Sequence, residues 1–340
     1  MFGKSKKKSI LADILTFILL TVILVIFLYY LDENVFTLLA ETRIAMIVML
    51  LFFCCLQILM ESFRYKLAYA GKKITVSFAD AMDLACMENF GKVAVITGGS
   101  LPIQSYYLYK KGMMPGKSLG TGVAMYIIRK ISVMLYAAVI LCFHWGWFSD
   151  TVPGASGYMI FSYCICTIVI VILLLLSTSK QVCNFACRMI GKLPSKGKWP
   201  DRKEKLTLQI EAIYSEAQLL FHRKRKAAVV VLLNLAELFL HYCIPWAVIR
   251  LMDIPGQAFF DVQTLSAAMY LFANALPHIA GMGGVEFSFL SVFSEKFGAY
   301  TTTAMIYYRC ATFYFPFILS FLKMLAIRNK SSKERKRKQS

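Results

Sequence analysis

Residues 274–286 read NALPHIAGMGGVE, a glycine- and proline-containing break inside the apolar stretch 262–297. A similar break at 97–102, which reads TGGSLP, interrupts the apolar stretch 79–110. Each arm beside a break has roughly 14–19 residues, and about 20 are needed to cross a bilayer. The flanking charges place both ends of a stretch on one side. We therefore predict two re-entrant helical hairpins, whose non-helical tips must be buried in protein or line a wet cavity.

The two breaks match in position, which indicates an internal duplication. Asn274 lies 274 − 89 = 185 residues after Asn89, and Gly283 lies 283 − 98 = 185 residues after Gly98. Each Gly-Gly pair precedes an apolar helix with the pattern Ala-Met-x-x-x-Arg. That pattern occupies residues 124–129 and 304–309. Internal repeats with broken helices are common in membrane transporters.

The composition is that of a polytopic membrane protein. The 340 residues are 58% hydrophobic with a mean hydropathy of +0.60, whereas soluble domains are about 45–50% apolar. Six apolar runs are long enough to span a bilayer. They are residues 10–31, 44–60, 119–143, 157–177, 227–251 and 300–326. The first is too long for the apolar core of a signal peptide, so we read it as an uncleaved span.

The net charge of +19 is explained by cytoplasmic loops, which are rich in Lys and Arg, so we expect no nucleic acid partner. Basic regions alternate with loops that have few or no basic residues. The basic regions are 1–9, 61–78, 178–226 with twelve Lys or Arg, and 327–340 with seven; the others are 32–43, 144–156 and 252–262. This alternation predicts a cell-membrane protein with both termini in the cytoplasm.

The predicted fold is an all-α polytopic membrane protein with six full spans and two re-entrant helical hairpins arranged as an inverted repeat. Repeat one covers 10–143 with a hairpin at about 79–110, and repeat two covers 157–326 with a hairpin at about 262–297. Each repeat has an odd number of crossings, so the second is inverted relative to the first. Two inverted repeats supply two related states that open alternately to either side of the membrane, as alternating access requires.

Arg129 and Arg309 lie near the middle of their spans, where charged residues usually face the protein interior or a cavity. Two guanidinium groups would attract an anion, and phosphate matches their bidentate donors. The alternative is that each arginine pairs with a carboxylate of the protein, such as Glu88, Glu237 or Glu286. The two alternatives are compatible if the substrate competes with the carboxylate.

Asn234, Glu237 and His241 follow one another at i, i+3 and i+7 and share one helix face. Glu237 and His241, together with Glu286, either contact a cationic headgroup of the substrate or carry protons. The alternative is that this face makes an interhelical hydrogen bond. Asn89 and Asn274 end the ingoing arms of the hairpins, where they either satisfy broken backbone or contact substrate.

The hairpin tips are the other candidate part of a substrate path. Glu286 opens the outgoing arm of the second hairpin and is placed to cap the positive start of a helix. The candidate lining residues are Gly98, Gly99, Gly283 and Gly284.

The basic loop 178–226 contains apolar residues at helical spacing from Leu206 to Leu220, after a capping-box pattern at Asp201 and Glu204. It predicts an amphipathic helix lying on the inner leaflet or on the helix bundle.

Motifs of an enzyme are absent from the sequence. There is no phosphate-binding loop, no His-Glu-x-x-His and no Gly-x-Ser-x-Gly. The ten cysteines lack zinc-site spacing, and we expect free thiols. We therefore expect no catalytic activity, no cofactor and no metal.

Residues 276–286, the following Phe297-Gly298 and the Arg309 helix resemble the conserved signature of the lysylphosphatidylglycerol synthase transmembrane region, a flippase-like family. Residues 89–112 look like its first conserved block. Ile279 and Ala280 replace a proline and a glycine of that signature. The aminoacyl-transferase domain of the full-length synthases is missing, so we expect no synthesis of aminoacylated lipid.

The resemblance implies a lipid translocase that moves a phospholipid or lipid-linked headgroup between leaflets. Two alternatives stay open: a carrier for a small anionic solute, and a non-transporting accessory subunit of a lipid-modifying synthase. The expected partners are membrane lipids, with anionic inner-leaflet headgroups at the basic loops, and the chain could also form a homo-oligomer.

Overall fold

The computed structural model describes residues 22, 41–71, 74–92, 100–192, 199–255, 258–277 and 282–337, and this part of the chain is helical throughout apart from turns. The helices are α1 Ile44–Tyr69, α2 Phe78–Gly91, α3 Ser100–Lys110, α4 Pro115–Thr151, α5 Ala155–Thr178, α6 Lys180–Gly191, α7 Trp199–His222, α8 Lys224–Leu251, α9 Phe259–Ala275, α10 Gly284–Phe297, α11 Thr301–Arg309 and α12 Phe315–Arg337.

Five helical segments of this part are long and apolar enough to cross a membrane. They are Ile44–Tyr69, Pro115–Thr151, Ala155–Leu175, Lys224–Leu251 and Gly284–Ile327. Each contains nearly all or all of one predicted span. The remaining predicted span, 10–31, lies outside the described residues apart from residue 22.

Helix α1 corrects one part of the predicted loop pattern. The basic segment 61–78 was expected to be a cytoplasmic loop, but its first part is helical, since α1 continues to Tyr69 and includes Arg64. Only 3% of the Arg64 side chain is exposed. The helix can continue through this charge because carboxylates of neighbouring helices neutralise it inside the protein.

The last apolar segment is longer than the predicted span 300–326. It begins at Gly284, because the 3₁₀ turn Gly298–Tyr300 joins α10 directly to α11. Gly298 has a positive φ of 50°, a conformation that glycine adopts without steric cost. A π-helical segment, Cys310–Tyr314, then connects α11 to α12.

Two pairs of short helices stand where hairpins were predicted. Helix α2 packs against α3, and α9 packs against α10. With 14 and 11 residues, α2 and α3 are about 21 Å and 17 Å long, less than the roughly 30 Å of a bilayer core. One apolar cluster contains Phe90, Met282, Phe313 and Phe317. The end of α2 and Met282, just before α10, thus belong to one cluster, in which Phe90 stacks on Phe317 of α12 at 5.8 Å.

The start of α2 is tied to its neighbours by Asp80 and Asp83. Tyr107 of α3 donates to both carboxylates at 2.9 Å, and Lys111 forms an ion pair with Asp80. Lys323 of α12 lies 3.4 Å from Asp83. Burial by itself raises the pKa of Asp80, but hydrogen bonds from Lys111, Ser77 and Tyr107 outweigh burial and hold the pKa below its ordinary value.

Helix α7 is the amphipathic helix predicted in the basic loop, and it packs on the bundle against α4. The approach is close at Gly120, where an added Cβ would lie 2.4 Å from the carbonyl oxygen of Ile213. The predicted capping box is wrong, because the helix begins at Trp199 and Asp201 already lies inside its first turn.

Candidate functional site

A buried arginine connects three helices at the centre of the polar residues. The Arg64 guanidinium donates to Asn234 Oδ1 at 3.2 Å, to Glu237 Oε2 at 3.2 Å and to Glu88 Oε2 at 2.9 Å. The atoms Arg64 Nε and Asn234 Nδ2 are buried without a hydrogen-bond partner among the described residues. Both are donors, so this part of the interior has more donors than acceptors.

The arginine of repeat one, Arg129, pairs with the same carboxylate. Its Nη1 lies 2.7 Å from Glu237 Oε1, and its Nη2 lies 3.5 Å from the Tyr270 hydroxyl. The side chain of Arg129 is 21% exposed, whereas Glu237 is 5% exposed. Arg129 therefore joins the buried charges to an accessible surface.

The arginine of repeat two, Arg309, is more enclosed. Its Nε lies 2.8 Å from Glu286 Oε1, the two side chains are 5% and 7% exposed, and its guanidinium stacks over Phe313 at 4.2 Å. Glu286 also accepts the Gly283 N–H at 2.7 Å, as the predicted helix cap requires. Both arginines thus have the carboxylate partners that the sequence suggested, but only Arg129 of these two is appreciably accessible.

The asparagines that end the ingoing arms both accept a hydrogen bond from a lysine. Lys92 Nζ lies 2.6 Å from Asn89 Oδ1, and Lys130 Nζ lies 2.7 Å from Asn274 Oδ1. Asn89 also donates to Glu61 Oε2 at 2.6 Å. An ammonium group from predicted repeat one is therefore held beside the end of each predicted ingoing arm.

His241 bridges two helices. One ring nitrogen lies 3.1 Å from Gln57 Nε2 of α1, and the other lies 2.6 Å from the Tyr308 hydroxyl of α11. Pro245 follows inside α8, and its missing N–H leaves the His241 carbonyl without the usual helical donor. This is the interhelical arrangement that was one alternative for the shared face of α8.

The predicted tip glycines fall into two groups. Gly98 and Gly99 lie outside the described residues. Gly283 has φ +96°, which favours glycine, and Gly284 is buried at the start of α10. The second Gly-Gly pair therefore allows the backbone conformation with which the chain begins α10.

Sequence reasoning missed Glu61, Arg64, Lys92 and Lys130. The first two were assigned to a loop because the apolar run weakens near residue 60. Their spacing of i, i+3 and the aromatic residues up to Tyr69 were the signal that the helix continues.

The cluster as a whole has a surplus of positive charge. Its cations are Arg64, Lys92, Arg129 and Lys130, and its carboxylates are Glu61, Glu88 and Glu237. At full ionisation the described members sum to 4 − 3 = +1. Such a site favours an anionic group, and guanidinium groups bind phosphate with paired hydrogen bonds.

These features define a class: a multi-pass helical membrane protein whose charged side chains meet between its helices. The chain belongs to the lysylphosphatidylglycerol synthase TM region family, whose family model matches residues 14–320. This membership associates the protein with lipid handling. No curated protein and no solved structure matched the chain.

Proposed function

We propose that this protein is a lipid translocase that moves a phospholipid or lipid-linked headgroup across the cytoplasmic membrane, acting as a transporter and not as an enzyme. The observation that carries the proposal is the position of Arg129. Its side chain is 21% exposed, and its guanidinium pairs with the buried Glu237 at 2.7 Å. A charge in this position is costly within a membrane unless it has a function or a partner.

The phosphate of a headgroup would compete with Glu237 for Arg129. Glu237 would keep Arg64 as a partner, since that guanidinium lies 3.2 Å from its other oxygen. Binding would therefore exchange one ion pair for another and would leave no buried carboxylate alone. Arg309 is the weaker candidate ligand, because Glu286 and the Phe313 ring enclose it.

The proposal includes an inverted repeat of six spans and two re-entrant hairpins, with both termini in the cytoplasm. The short lengths of α2 and α3, and the apolar cluster that contains both Phe90 and Met282, support two hairpins whose ends lie near each other. Alternating access would open this region to one leaflet at a time. The basic loop and tail would rest on anionic headgroups of the inner leaflet.

The test is leaflet exchange in proteoliposomes that contain acyl-chain-labelled lipids and a membrane-impermeant quencher. Wild-type protein should reduce the protected fraction, and Arg129→Gln should slow exchange by about 10-fold or more, since a hydrogen bond to a charged group contributes about 1.5–3 kcal/mol. Arg250→Gln, at an exposed arginine at the end of α8, is the matched control and should exchange lipid at the wild-type rate.

Arg129→Gln that is folded and exchanges lipid at the wild-type rate would refute the assigned role of Arg129. A wild-type protein that moves no lipid would refute the translocase. Uptake of a soluble anion would then favour a solute carrier, and stable co-purification with a lipid-modifying synthase would favour an accessory subunit.

A further inference from the structure

Lys92, directly after α2, and Lys130 of α4 are two cations of the charged cluster that are not fully buried. Each ammonium group is 2.6–2.7 Å from the side-chain oxygen of the asparagine near the end of an ingoing arm, Asn89 or Asn274. Neither lysine was expected to take part in the site. Together with Arg129, they add positive charge to the part of the cluster that a ligand would contact.

The asparagines are oriented by their own helices. Asn89 Nδ2 donates to the Ala85 carbonyl at 3.1 Å, and Asn274 Nδ2 donates to the Tyr270 carbonyl at 2.7 Å. In both cases the acceptor lies four residues earlier. Fixing the amide nitrogen turns the amide oxygen towards the lysine, so each asparagine holds an ammonium group in place. An ammonium group has three donors, more than the asparagine side chain uses.

The two lysines belong to the same cluster as Arg129. Lys130 follows Arg129 in α4, and both reach α9, where their partners are Asn274 and Tyr270. Lys92 lies 3.8 Å from Glu61 of α1. One turn further along α1, Arg64 contacts Glu237, the partner of Arg129.

The charges of the cluster differ in exposure, and Arg64 is the one cation among its described members that is deeply buried. Glu61 and Glu237 are deeply buried, with 4% and 5% of their side chains exposed. Lys92 is 37% exposed, Arg129 is 21% exposed and Lys130 is partly buried. The remaining carboxylate, Glu88, is 20% exposed. The accessible part of the cluster thus has three cations and one carboxylate.

We infer that Lys92 and Lys130, positioned by Asn89 and Asn274, are ligand-binding residues that select lipids with an anionic phosphate headgroup over lipids whose headgroup carries an amine. This inference rests on the proposed lipid translocase and specifies its substrate class. An amine on the headgroup meets three accessible cations, and the carboxylates that could neutralise it are mostly buried and already paired. A phosphodiester without an amine is attracted by the same three cations, and Glu88 is the one partly exposed carboxylate of the described cluster that repels it.

Transport selectivity is tested with three acyl-chain-labelled lipids in the leaflet-exchange assay: phosphatidylglycerol, phosphatidylethanolamine and lysylphosphatidylglycerol. Wild-type protein should exchange phosphatidylglycerol at least about 10-fold faster than either amine-bearing lipid. The double variant Lys92→Gln/Lys130→Gln should lose most of this preference by slowing phosphatidylglycerol alone. The double variant Lys92→Arg/Lys130→Arg keeps both charges and should keep the preference for phosphatidylglycerol. The control Lys110→Gln, at an exposed lysine of α3, should behave as wild type.

Binding is measured separately, so that a failed inference can be distinguished from a failed translocase. Short-chain phosphatidylglycerol should raise the unfolding temperature of detergent-solubilised wild type more than short-chain phosphatidylethanolamine does, and the double glutamine variant should lose this difference. This result without lipid exchange would refute translocation and retain the selectivity.

Equal stabilisation by both lipids, or equal loss of all three exchange rates in the double variant, would overturn the inference. Inorganic phosphate is added in a parallel titration. A shift as large as that from phosphatidylglycerol would assign the site to a free anion and would also overturn selection of a lipid.

Discussion

At the scale of single residues, Glu237 links the two arginines of the cluster. One carboxylate oxygen faces Arg64 at 3.2 Å, and the other faces Arg129 at 2.7 Å. Arg129 and Arg309 have different surroundings, although their sequence motifs match. The Arg129 side chain is 21% exposed, whereas Glu286 and Phe313 enclose Arg309.

Glu237→Gln should lower the free energy of unfolding by about 3–5 kcal/mol, because it removes a buried charge and leaves two guanidinium groups without that partner. Thermal unfolding in detergent measures the change. Glu295→Gln, at an exposed position of α10, is the control and should unfold at the wild-type temperature.

Removing Arg129 as well tests whether Glu237 and Arg129 interact in the folded protein. Glu237→Gln/Arg129→Gln should be less destabilised than the sum of the two single variants, since residues in one ion-pair network are not additive. Strict additivity would show that the two side chains do not interact in the folded protein.

At the scale of helices, irregular geometry occurs beside polar residues. The π-helical segment Cys310–Tyr314 begins directly after Arg309, and Pro245 stands four residues after His241. π-helical turns are frequent at functional sites. Helix α4 combines a kink at His144 with a glycine-lined packing face near its start.

That packing face provides a prediction on how α7 is held. Gly120→Ala should destabilise the protein by about 1–3 kcal/mol, because the new methyl group would overlap the Ile213 carbonyl and force α7 away. The unfolding temperature reports the loss.

Gly146→Ala in the same helix is the matched control. An added Cβ there meets no atom within 4 Å, so the variant should be as stable as wild type or more stable, since alanine favours helix over glycine by up to about 1 kcal/mol. Equal effects of the two substitutions would contradict close packing at Gly120.

At the scale of the whole molecule, the central question is how the two repeats are oriented. Three candidate spans, α4, α5 and α8, separate Gly112 from Gly298. If α9 and α10 form the proposed re-entrant hairpin, this odd number of crossings predicts that the two turns lie on opposite faces of the membrane. Both residues are exposed and have positive φ, so each turn is a suitable insertion site.

A short epitope inserted after Gly112 should be recognised from the cytoplasmic face, and one inserted after Gly298 should be recognised from the opposite face. Right-side-out and inside-out membrane vesicles with an impermeant antibody distinguish the two. An epitope at the C-terminal tail should give the same result as Gly112. Recognition of both turns from one face would rule out the inverted arrangement.

The sequence by itself was sufficient to predict an all-helical membrane protein, the family, and the approximate positions of the five described spans. Hydropathy and the positive charge of loops are properties of contiguous residues. The free energy of placing a contiguous segment in a bilayer depends little on the other segments of the fold. The Glu286 helix cap was predictable for the same reason, since its acceptor lies three residues from its donor.

Only the tertiary structure decided which charges meet and which of them are accessible. The partners of Arg64, which are Glu88 and Glu237, lie on helices that no local pattern brings near α1. The same holds for Lys130, which reaches Asn274 of the other repeat. The stability of a buried charge depends on the residues packed around it, and helix packing determines those neighbours over separations of more than a hundred residues.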